Sequence, residues 1–333
     1  MSEVTKHETG EGRCIYSFCV EAFPSLIANI YVVDDGEQLI LVDCGSGLEK
    51  SNQGLLEGFE SLRQAYRPRF SLEAIDRILV THAHIDHFGG LPFVRQYTDA
   101  PVGVHILDRR VLSNYEERVV VAATRLEAFL QGAGVDAGHR QELMQMYLFA
   151  KGVYRSTEVD FLLEEGQPIA GIDVYHVPGH CPGQVCLGVD DVLLTGDHVL
   201  ARTTPHQAPE SITLNMGLDH YLQSLERIVA LEEVRLALGG HEEPIHDLRG
   251  RIADIRRLHL ERLEHIVQIC REPRSIVEIS RALFGTVSSY HVLLALEETG
   301  AHVEYLYQRG ELLATNLEEI ETKANPVIRY RRD

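Results

Sequence analysis

The sequence predicts a protein of the α/β class. Short aliphatic and β-branched runs alternate along the chain with amphipathic stretches long enough for helices, and most of the short runs end at Gly, His or Asp. Such runs are typical of strands buried on both faces, as in a sheet that helices cover. The chain has 333 residues. Since single hydrophobic cores stop growing near about 250–300 residues, we expect more than one packing unit.

Two groups of short apolar runs form the predicted strands. In the first group, runs at 30–33 and 39–42 are separated by an Asp-Asp-Gly sequence that is typical of a turn. An amphipathic stretch at 55–66 then leads to an apolar run at 78–80. The second group lies further along the chain, at residues 172–175, 185–188, 192–194 and 236–238.

Between the two groups we predict a helical insertion at about residues 106–155. The pattern Ser113-Asn-Tyr-Glu116 is a capping box that opens a first helix, and Asp136 caps a second helix that runs through Tyr154. The second helix carries an apolar face made of Leu143, Met144, Tyr147 and Leu148. We expect this face to pack on the body of the domain, with a role as a lid over a site as the alternative.

Residues 249–333 are predicted to form a separate C-terminal domain with the outline of a winged helix. A long amphipathic helix opens it, a Ser-x-x-Glu capping box at 275–278 starts a short helix, and Ser289 caps a third. We expect the third helix to end at Gly300 and the alternating run at 303–307 to form one strand of a hairpin.

A winged helix suggests DNA binding, but the charges of this segment argue against it. Residues 285–300, where a recognition helix would lie, contain no Lys or Arg and do contain Glu297 and Glu298. Contact with a nucleic-acid groove needs side chains that neutralise phosphates. We therefore expect this domain to serve either in packing or in dimerisation, and the second role would make the protein a homodimer.

The net charge is unevenly distributed. The chain has 31 Lys and Arg against 50 Asp and Glu, for a net charge of −19, and residues 249–333 hold 13 of each sign. The whole net charge therefore lies in residues 1–248, where it repels a polyanion. This favours a small-molecule substrate and no nucleic-acid partner.

Composition also indicates the compartment. No apolar run reaches the roughly 18 residues of a membrane span, and residues 1–12 are too polar for a secretory signal. The six cysteines form no C-x-x-C pair, so we interpret most of them as small buried hydrophobes in a reducing compartment. We expect a cytoplasmic protein with no membrane partner.

The strongest functional signal is His82-Ala-His84-Ile-Asp86-His87. It follows the predicted strand at 78–80 and runs into Phe-Gly-Gly, whose tight backbone lets several side chains converge on one point. Imidazole and carboxylate ligands suit Zn²⁺ and also Fe or Mn. The sequence therefore predicts a metal centre at the end of this strand.

This cluster and three later segments resemble the signature of the metallo-β-lactamase-fold hydrolase superfamily. The matching segments, in family order, are Val177-Pro-Gly-His180, Leu194-Thr-Gly-Asp197 and Gly240-His241, while Val42-Asp43-Cys-Gly45 resembles the early aspartate motif. The resemblance covers about residues 15–248 and implies a four-layer αββα sandwich with the metals at one edge. The C-terminal segment resembles the winged-helix extension of a glyoxalase-II-like and lactamase-β-2-like subgroup.

The resemblance implies two divalent metal ions, Zn²⁺ first, with Mn or Fe as alternatives. It assigns His82, His84 and His180 to the first metal, Asp86, His87 and His241 to the second, and Asp197 to the bridge between them. Asp86 would also orient the attacking hydroxide and shuttle its proton, and Asp43 would hold a ligand loop without binding metal. Metal binding lowers the pKa of water from 15.7 to about 7, which supplies a nucleophile at neutral pH.

Three further residues lie next to these motifs. Cys181 stands where Ser or Thr is more usual in the family, and we expect it not to bind metal because the nitrogen and oxygen ligand set is already complete. His198 is expected to make a structural hydrogen bond. His206 is a candidate for the wall of the substrate pocket.

Three functions remain open from the sequence. The first is hydrolysis of a small ester, thioester or lactone by a metal-bridging hydroxide. The second is a metal-dependent phosphodiesterase or ribonuclease acting on single-stranded RNA, and the third is a non-catalytic metal-binding regulator. A basic groove near the metals would favour the second function, and an enclosed apolar pocket under residues 143–149 would favour the first.

Overall fold

A computed structural model describes residues 3–67 and 69–333, and the predicted strands form two sheets in it. Residues 1, 2 and 68, which belong to the predicted first domain, lie outside the described residues. The first sheet has seven strands in chain order: β1 (Val4–Glu8), β2 (Cys14–Phe23), β3 (Leu26–Asp34), β4 (Leu39–Val42), β5 (Arg77–Leu79), β6 (Val102–Val104) and β7 (Phe161–Leu162). Strands β1 to β4 pair antiparallel and β4 to β7 pair parallel.

The second sheet has four strands. They are β8 (Asp173–His176), β9 (Val185–Val189), β10 (Val192–Gly196) and β11 (Leu236–Gly239). Strands β8, β9 and β10 are antiparallel neighbours, and β11 joins β10 in parallel. The parallel pairs in both sheets bring several carboxyl ends of strands to one edge.

The core lies between the two sheets. One buried cluster contains Val33, Ile40 and Leu79 from the first sheet together with Leu187 and Leu194 from the second. Strands β4, β9 and β10 are buried along their whole length, as the continuous apolar runs predicted. The α/β class and the sandwich of two sheets are therefore confirmed.

Helices alternate with these strands along the chain and continue beyond them. The eleven α-helices found in the described part of the chain are α1 (Glu49–Ala65), α2 (Ile85–Phe88), α3 (Leu91–Val94), α4 (Ile106–Ser113), α5 (Tyr115–Ala133), α6 (Ala137–Lys151), α7 (Leu218–Val229), α8 (Leu248–Ile269), α9 (Ile276–Phe284), α10 (Tyr290–Gln308) and α11 (Leu317–Thr322). Helix α1 packs on β2, because Gly58 leaves room for the ring of Phe18. Across the described residues, no helix is both long enough and apolar enough to cross a membrane.

Contacts divide the chain into two compact units. The first comprises Met1–Tyr115, Arg155–Pro205 and Leu225–Ile252, and the second comprises Glu116–Tyr154, His206–Ser224 and Ala253–Asp333. This division differs from the two contiguous domains expected at 1–248 and 249–333. Residues 116–154 of the predicted insertion belong to the same unit as the C-terminal helices, with α6 in contact with α10, whereas its first part, helix α4, belongs to the first unit.

The start of the insertion also differs from the prediction. Ser113 is the last residue of α4, a helix that the sequence analysis missed, and its hydroxyl donates to the carbonyl of Arg109. It therefore does not cap the next helix, which begins at Tyr115. The second predicted cap is confirmed, because the Asp136 side chain accepts hydrogen bonds from the first backbone N–H groups of α6.

The third C-terminal helix is longer than predicted. Helix α10 continues through Gly300 to Gln308, so the expected helix end at Gly300 and the expected strand at 303–307 are wrong. A Cβ at Gly300 would lie 2.6 Å from Cζ of Phe129, so this glycine permits close packing on α5. Val303 and Leu306 are buried at helical spacing, which a strand could not achieve.

The hairpin of the C-terminal segment is consequently made of other residues. Strand β12 (Leu312–Ala314) pairs antiparallel with β13 (Tyr330–Arg332), with α11 between them. The capping box at 275–278 is confirmed, since Ser275 and Glu278 each bond the other's backbone. The winged-helix assignment itself stays a prediction.

Candidate metal centre

Seven side chains meet beyond the ends of strands from both sheets. His82 and His84 lie in the loop after β5, Asp86 and His87 lie on α2, His180 follows β8, Asp197 follows β10, and His241 follows β11. All seven belong to the first compact unit. The structure therefore brings together every residue that the sequence singled out as a metal ligand.

Potential ligand atoms of these residues form three groups, each within 4.8 Å, that can hold an ion. The first group contains His82, His84 and His180, the second contains Asp86, His87 and His241, and a third, made of His82, His87 and Asp197, links the first two. In the first group, Nδ1 of His84 lies 3.0 Å from Nε2 of His180. In the second, Nε2 of His241 lies 3.4 Å from Oδ2 of Asp86.

Asp197 lies between the two groups. Its Oδ2 is 3.8 Å from Nε2 of His180 in the first group and 3.3 Å from Nε2 of His241 in the second. Its Oδ1 is 3.5 Å from Nε2 of His87. One carboxylate thus faces ligand atoms of both groups, as a bridging ligand must.

Three buried atoms at the centre make no hydrogen bond to any described residue. They are Nε2 of His82, Nε2 of His87 and Oδ1 of Asp197. Leaving buried polar atoms without partners costs about 1–3 kcal/mol each, so such groups need another partner. Imidazole nitrogens and a carboxylate oxygen that converge in this way suit a divalent cation.

In two of the histidines, a hydrogen bond of Nδ1 directs the other ring nitrogen, Nε2, to the centre. Nδ1 of His87 donates to Oδ2 of Asp43 over 2.7 Å, and Nδ1 of His241 donates to the carbonyl of Ile27. Each bond fixes the ring orientation and directs Nε2 to the centre. Asp43 also accepts from the backbone and hydroxyl of Thr81, so it ties the start of the ligand loop to α2.

Glycines allow the backbone to approach the ligands closely. A Cβ at Gly240 would lie 2.5 Å from Oδ1 of Asp197 and 2.6 Å from Cε1 of His87. A Cβ at Gly90 would lie 2.0 Å from the carbonyl oxygen of Cys44. Only glycine fits at these two positions without displacing the ligand loops.

Electrostatics make the centre attract positive charge. Burial lowers the pKa of His241, but Asp197 and Asp86 outweigh burial and raise it to about 10. Burial likewise opposes the protonation of His87, yet Asp197, Asp43 and Asp86 hold its pKa well above the usual value. Divalent cations can take the place of these protons, because metal binding at His and carboxylate ligands releases protons.

Three neighbouring residues singled out by sequence belong to none of the groups of potential ligand atoms found among the described residues. The thiol of Cys181 lies against Asp108, with Sγ 3.4 Å from Oδ2. His198 is buried, and its backbone N–H donates to Thr195. His206 belongs to the second compact unit, where Nε2 lies 3.1 Å from Oε2 of Glu297, and its role in the pocket wall stays a prediction.

Sequence reasoning missed Asp108 on α4. Its side chain is fully buried and accepts hydrogen bonds from the backbone of Ala83 and Gly183, next to ligands on two different loops. A signal was available, because Asp108 lies just after β6, as the ligands lie just after β5, β8, β10 and β11. This signal is not specific, because an Asp in the first turn of a helix is common for other reasons.

A further His and Glu group lies in the second unit. His259, Glu298 and His302 are buried, and Nδ1 of His259 lies 3.0 Å from Nε2 of His302. The guanidinium of Arg262 donates to Oε1 of Glu298. Because the guanidinium of Arg262 already pairs with that carboxylate oxygen, we interpret this group as a buried hydrogen-bond network and not as a metal site.

Comparison with known proteins agrees with this geometry. Residues 24–241 match the family model described as the metallo-beta-lactamase superfamily. The chain belongs to this superfamily. Over 289 residues it is 24% identical to the probable metallo-hydrolase YqjP of Bacillus subtilis, covering 83% of this chain and 86% of that protein.

The chain is also similar to two other members of the superfamily, one by sequence and one by structure. The chain is 26% identical over 228 residues to the human acyl-coenzyme A thioesterase MBLAC2, covering 64% of this chain and 72% of that protein. The crystal structure of the metallo-beta-lactamase family protein TTHA1429 from Thermus thermophilus superimposes with a TM-score of 0.77 at 25% identity, covering 96% of this chain and 98% of that one. Fold and relatives together identify this superfamily member as a hydrolase.

Proposed function

We propose that this protein is a dinuclear metal-dependent hydrolase that cleaves small thioesters, with small esters and lactones in the same substrate class. Asp197, which faces both groups of ligand atoms, is the observation that carries the dinuclear mechanism. The likeness to an acyl-coenzyme A thioesterase favours thioesters within this class.

The residues at the centre fit two divalent cations. His82, His84 and His180 would hold the first, Asp86, His87 and His241 would hold the second, and Asp197 would contact both. Bound there, divalent cations would supply two kinds of chemistry, a lowered pKa for the attacking water and polarisation of the substrate carbonyl. We propose Zn²⁺ first, with Mn or Fe as alternatives, because the ligand atoms are nitrogen and oxygen.

No buried thiol of the first unit is suited to be the nucleophile. Burial raises the pKa of Cys44 well above its usual value and also raises that of Cys186. A thiol attacks as the thiolate, so these two groups are inert at neutral pH. The thiol of Cys181 lies against Asp108, and we propose water as the nucleophile.

In the proposed reaction, water adds to the thioester carbonyl carbon, the C–O bond forms, and the C–S bond breaks. The products are a carboxylic acid and a thiol, so one proton of the water ends on the leaving sulfur. Asp86 can carry this proton, since its Oδ2 faces the centre 3.4 Å from Nε2 of His241. Asp43 holds the ring of His87.

Charge favours this class over polymeric phosphodiesters. Residues 1–248 contain the whole net charge of −19, and all seven centre residues lie within them. A nucleic acid would meet this negative field, whereas an uncharged acyl group would not. The expectations of a small-molecule substrate and of a homodimer in the cytoplasm stay predictions.

A substrate panel tests the proposal. Purified protein with added Zn²⁺ or Mn²⁺ is assayed against acyl thioesters of coenzyme A and glutathione, aryl esters, lactones and a single-stranded RNA. We expect metal-dependent thioester hydrolysis that Asp197→Asn abolishes and Asp173→Asn, a change at an exposed aspartate of β8, leaves intact. RNA cleavage without turnover of any ester or thioester would contradict the proposal.

A further inference from the structure

Asp108 joins the two loops that hold the first group of ligands. Its Oδ2 accepts a hydrogen bond from the backbone N–H of Ala83 over 2.8 Å. Its Oδ1 accepts from the backbone N–H of Gly183 over 2.8 Å. Ala83 separates His82 from His84, and Gly183 lies three residues after His180, so one carboxylate touches the loops of all three histidines.

The two loops come from different sheets. The loop of His82 and His84 follows β5 of the first sheet, whereas the loop of His180 joins β8 to β9 of the second. Asp108 reaches both from α4, and its side chain is fully buried. Hydrogen bonds to a buried carboxylate are among the stronger ones in proteins, so this contact fixes the separation of the loops.

A ring stack supports the same junction. His105, which caps α4, lies against His176 with ring centroids 3.8 Å apart and an angle of 16° between the planes. Nε2 of His176 in turn lies 2.8 Å from the carbonyl of Pro182, next to Gly183. The first turn of α4 is thus anchored twice to the segment that carries His180.

Asp43 makes the complementary contact on the other side of the centre. It bonds His87 of the second group directly and Thr81 at the start of the ligand loop. The two aspartates therefore have different roles. Asp43 orients a ligand of the second group, and Asp108 fixes the positions of the loops that carry the first group.

We propose that Asp108 is a positioning residue for the first metal site and that its removal weakens the first cation selectively. This inference rests on the ligand assignment of the proposed function, but not on the substrate. Changes at residues that orient metal ligands typically cost about 10–100-fold in metal affinity. For Asp108→Asn we expect a loss of this size at the first site and no change at the second.

Metal binding by the full-length protein tests this inference without an activity assay. Metal-free protein is titrated with Co²⁺ against a competing chelator, and the absorption spectrum of the bound Co²⁺ is recorded. His180→Ala and His241→Ala provide reference spectra for a protein whose first or second site is damaged. With one equivalent of Co²⁺, Asp108→Asn should give the spectrum of His180→Ala, because the remaining cation sits in the second site.

A second variant perturbs the same contact while keeping the carboxylate. A Cβ at Gly183 would lie 2.5 Å from Cγ and 2.7 Å from the backbone nitrogen of Asp108, so Gly183→Ala must displace one or the other. We expect Gly183→Ala to weaken metal binding at the first site as Asp108→Asn does. If one of the two variants fails to fold, the other still tests the inference. Asp160→Asn is the matched control, since Asp160 accepts from the backbone of Val102 at the opposite end of β6.

The outcomes separate the two proposals. Selective loss of the first cation in both variants supports the positioning role, even if no thioester is turned over. Equal loss of both cations, loss of the second alone or unchanged affinities would overturn it. Binding of only one cation by the unaltered protein would instead overturn the dinuclear centre of the proposed function.

Discussion

Nδ1 of His87 lies 2.7 Å from Oδ2 of Asp43, and both side chains are buried. This contact leaves Nε2 of His87 as the atom that faces Asp197, 3.5 Å away. The ring is therefore held in place before any cation binds. A preorganised ligand of this kind loses little conformational entropy when the metal arrives.

We expect two equivalents of divalent metal per chain. The reason is that six ligand residues form two groups and that Asp197, the seventh, faces both of them. Elemental analysis of gently purified protein should find near two equivalents of Zn, Mn or Fe, and His84→Ala should lower the figure. A reproducible maximum of one equivalent in a fully active preparation would refute the dinuclear mechanism.

Asp197→Asn should weaken both metal sites and remove most turnover. Loss of a carboxylate that contacts two cations should raise the activation barrier by several kcal/mol, and each 1.36 kcal/mol lowers the rate about tenfold. Asp43→Asn should cost only about 10–100-fold, because Asp43 acts through His87. Metal content and kcat of the two variants, measured side by side, provide the check, and wild-type turnover by Asp197→Asn with two bound metals would show that the bridge is misassigned.

Gly240→Ala should impair the centre although it adds a single methyl group. The new Cβ would press on both Asp197 and His87, and overpacking of this kind costs about 1–3 kcal/mol. We expect lower metal affinity and lower kcat. Gly10→Ala is a suitable control, because the nearest atom to its Cβ is 3.4 Å away, and equal metal affinities for the two variants would argue against this reading.

Stability of the second unit should depend on the protonation of His206. Burial lowers the pKa of this residue, but hydrogen bonds to Glu297 and Glu298 outweigh burial and raise it to about 9. Because the pKa in the unfolded chain is about 6.5, the stabilisation is fully present below pH 6.5 and disappears as the pH rises through 9.

His206→Gln should therefore lower the free energy of unfolding by about 1.5–3 kcal/mol at pH 6, the usual contribution of hydrogen bonds to charged groups. The difference from the unaltered protein should shrink between pH 6.5 and 10. Urea unfolding of metal-free protein at several pH values measures it, with His265→Gln at an exposed position of α8 as the control. A difference that is constant over this range would contradict the assigned protonation.

Affinity for nucleic acid should be weak and only slightly dependent on salt. A protein that neutralises Z phosphates loses affinity for single strands with a log–log slope of about −0.7Z. Few phosphates can be neutralised in residues 1–248, which hold 18 basic and 37 acidic side chains. Titration of a fluorescent single-stranded RNA at several salt concentrations measures the slope, and tight, steeply salt-dependent binding with metal-dependent cleavage would favour the ribonuclease alternative.

The sequence by itself determined strands β3 to β5 of the first sheet, the four strands of the second sheet and the seven residues of the centre. A buried strand has a continuous apolar sequence, and the ligands that follow strand ends are His and Asp residues in short motifs. Both signals lie within a few consecutive residues. His82 to His87 could be read in this way because six consecutive residues contain four of the ligands. The capping residues Asp136 and Ser275 were readable for the same reason.

Only the tertiary structure decided the features that depend on distant contacts. Gly300 has the local signature of a helix end, yet its closeness to Phe129 keeps it inside α10. Asp108 resembles an ordinary residue of a first helical turn until Ala83 and Gly183 are placed against it from two sheets. The periodicity of apolar residues predicts which face of a helix or strand is buried. It does not predict which distant residue packs against that face, because this contact forms only when the whole chain folds.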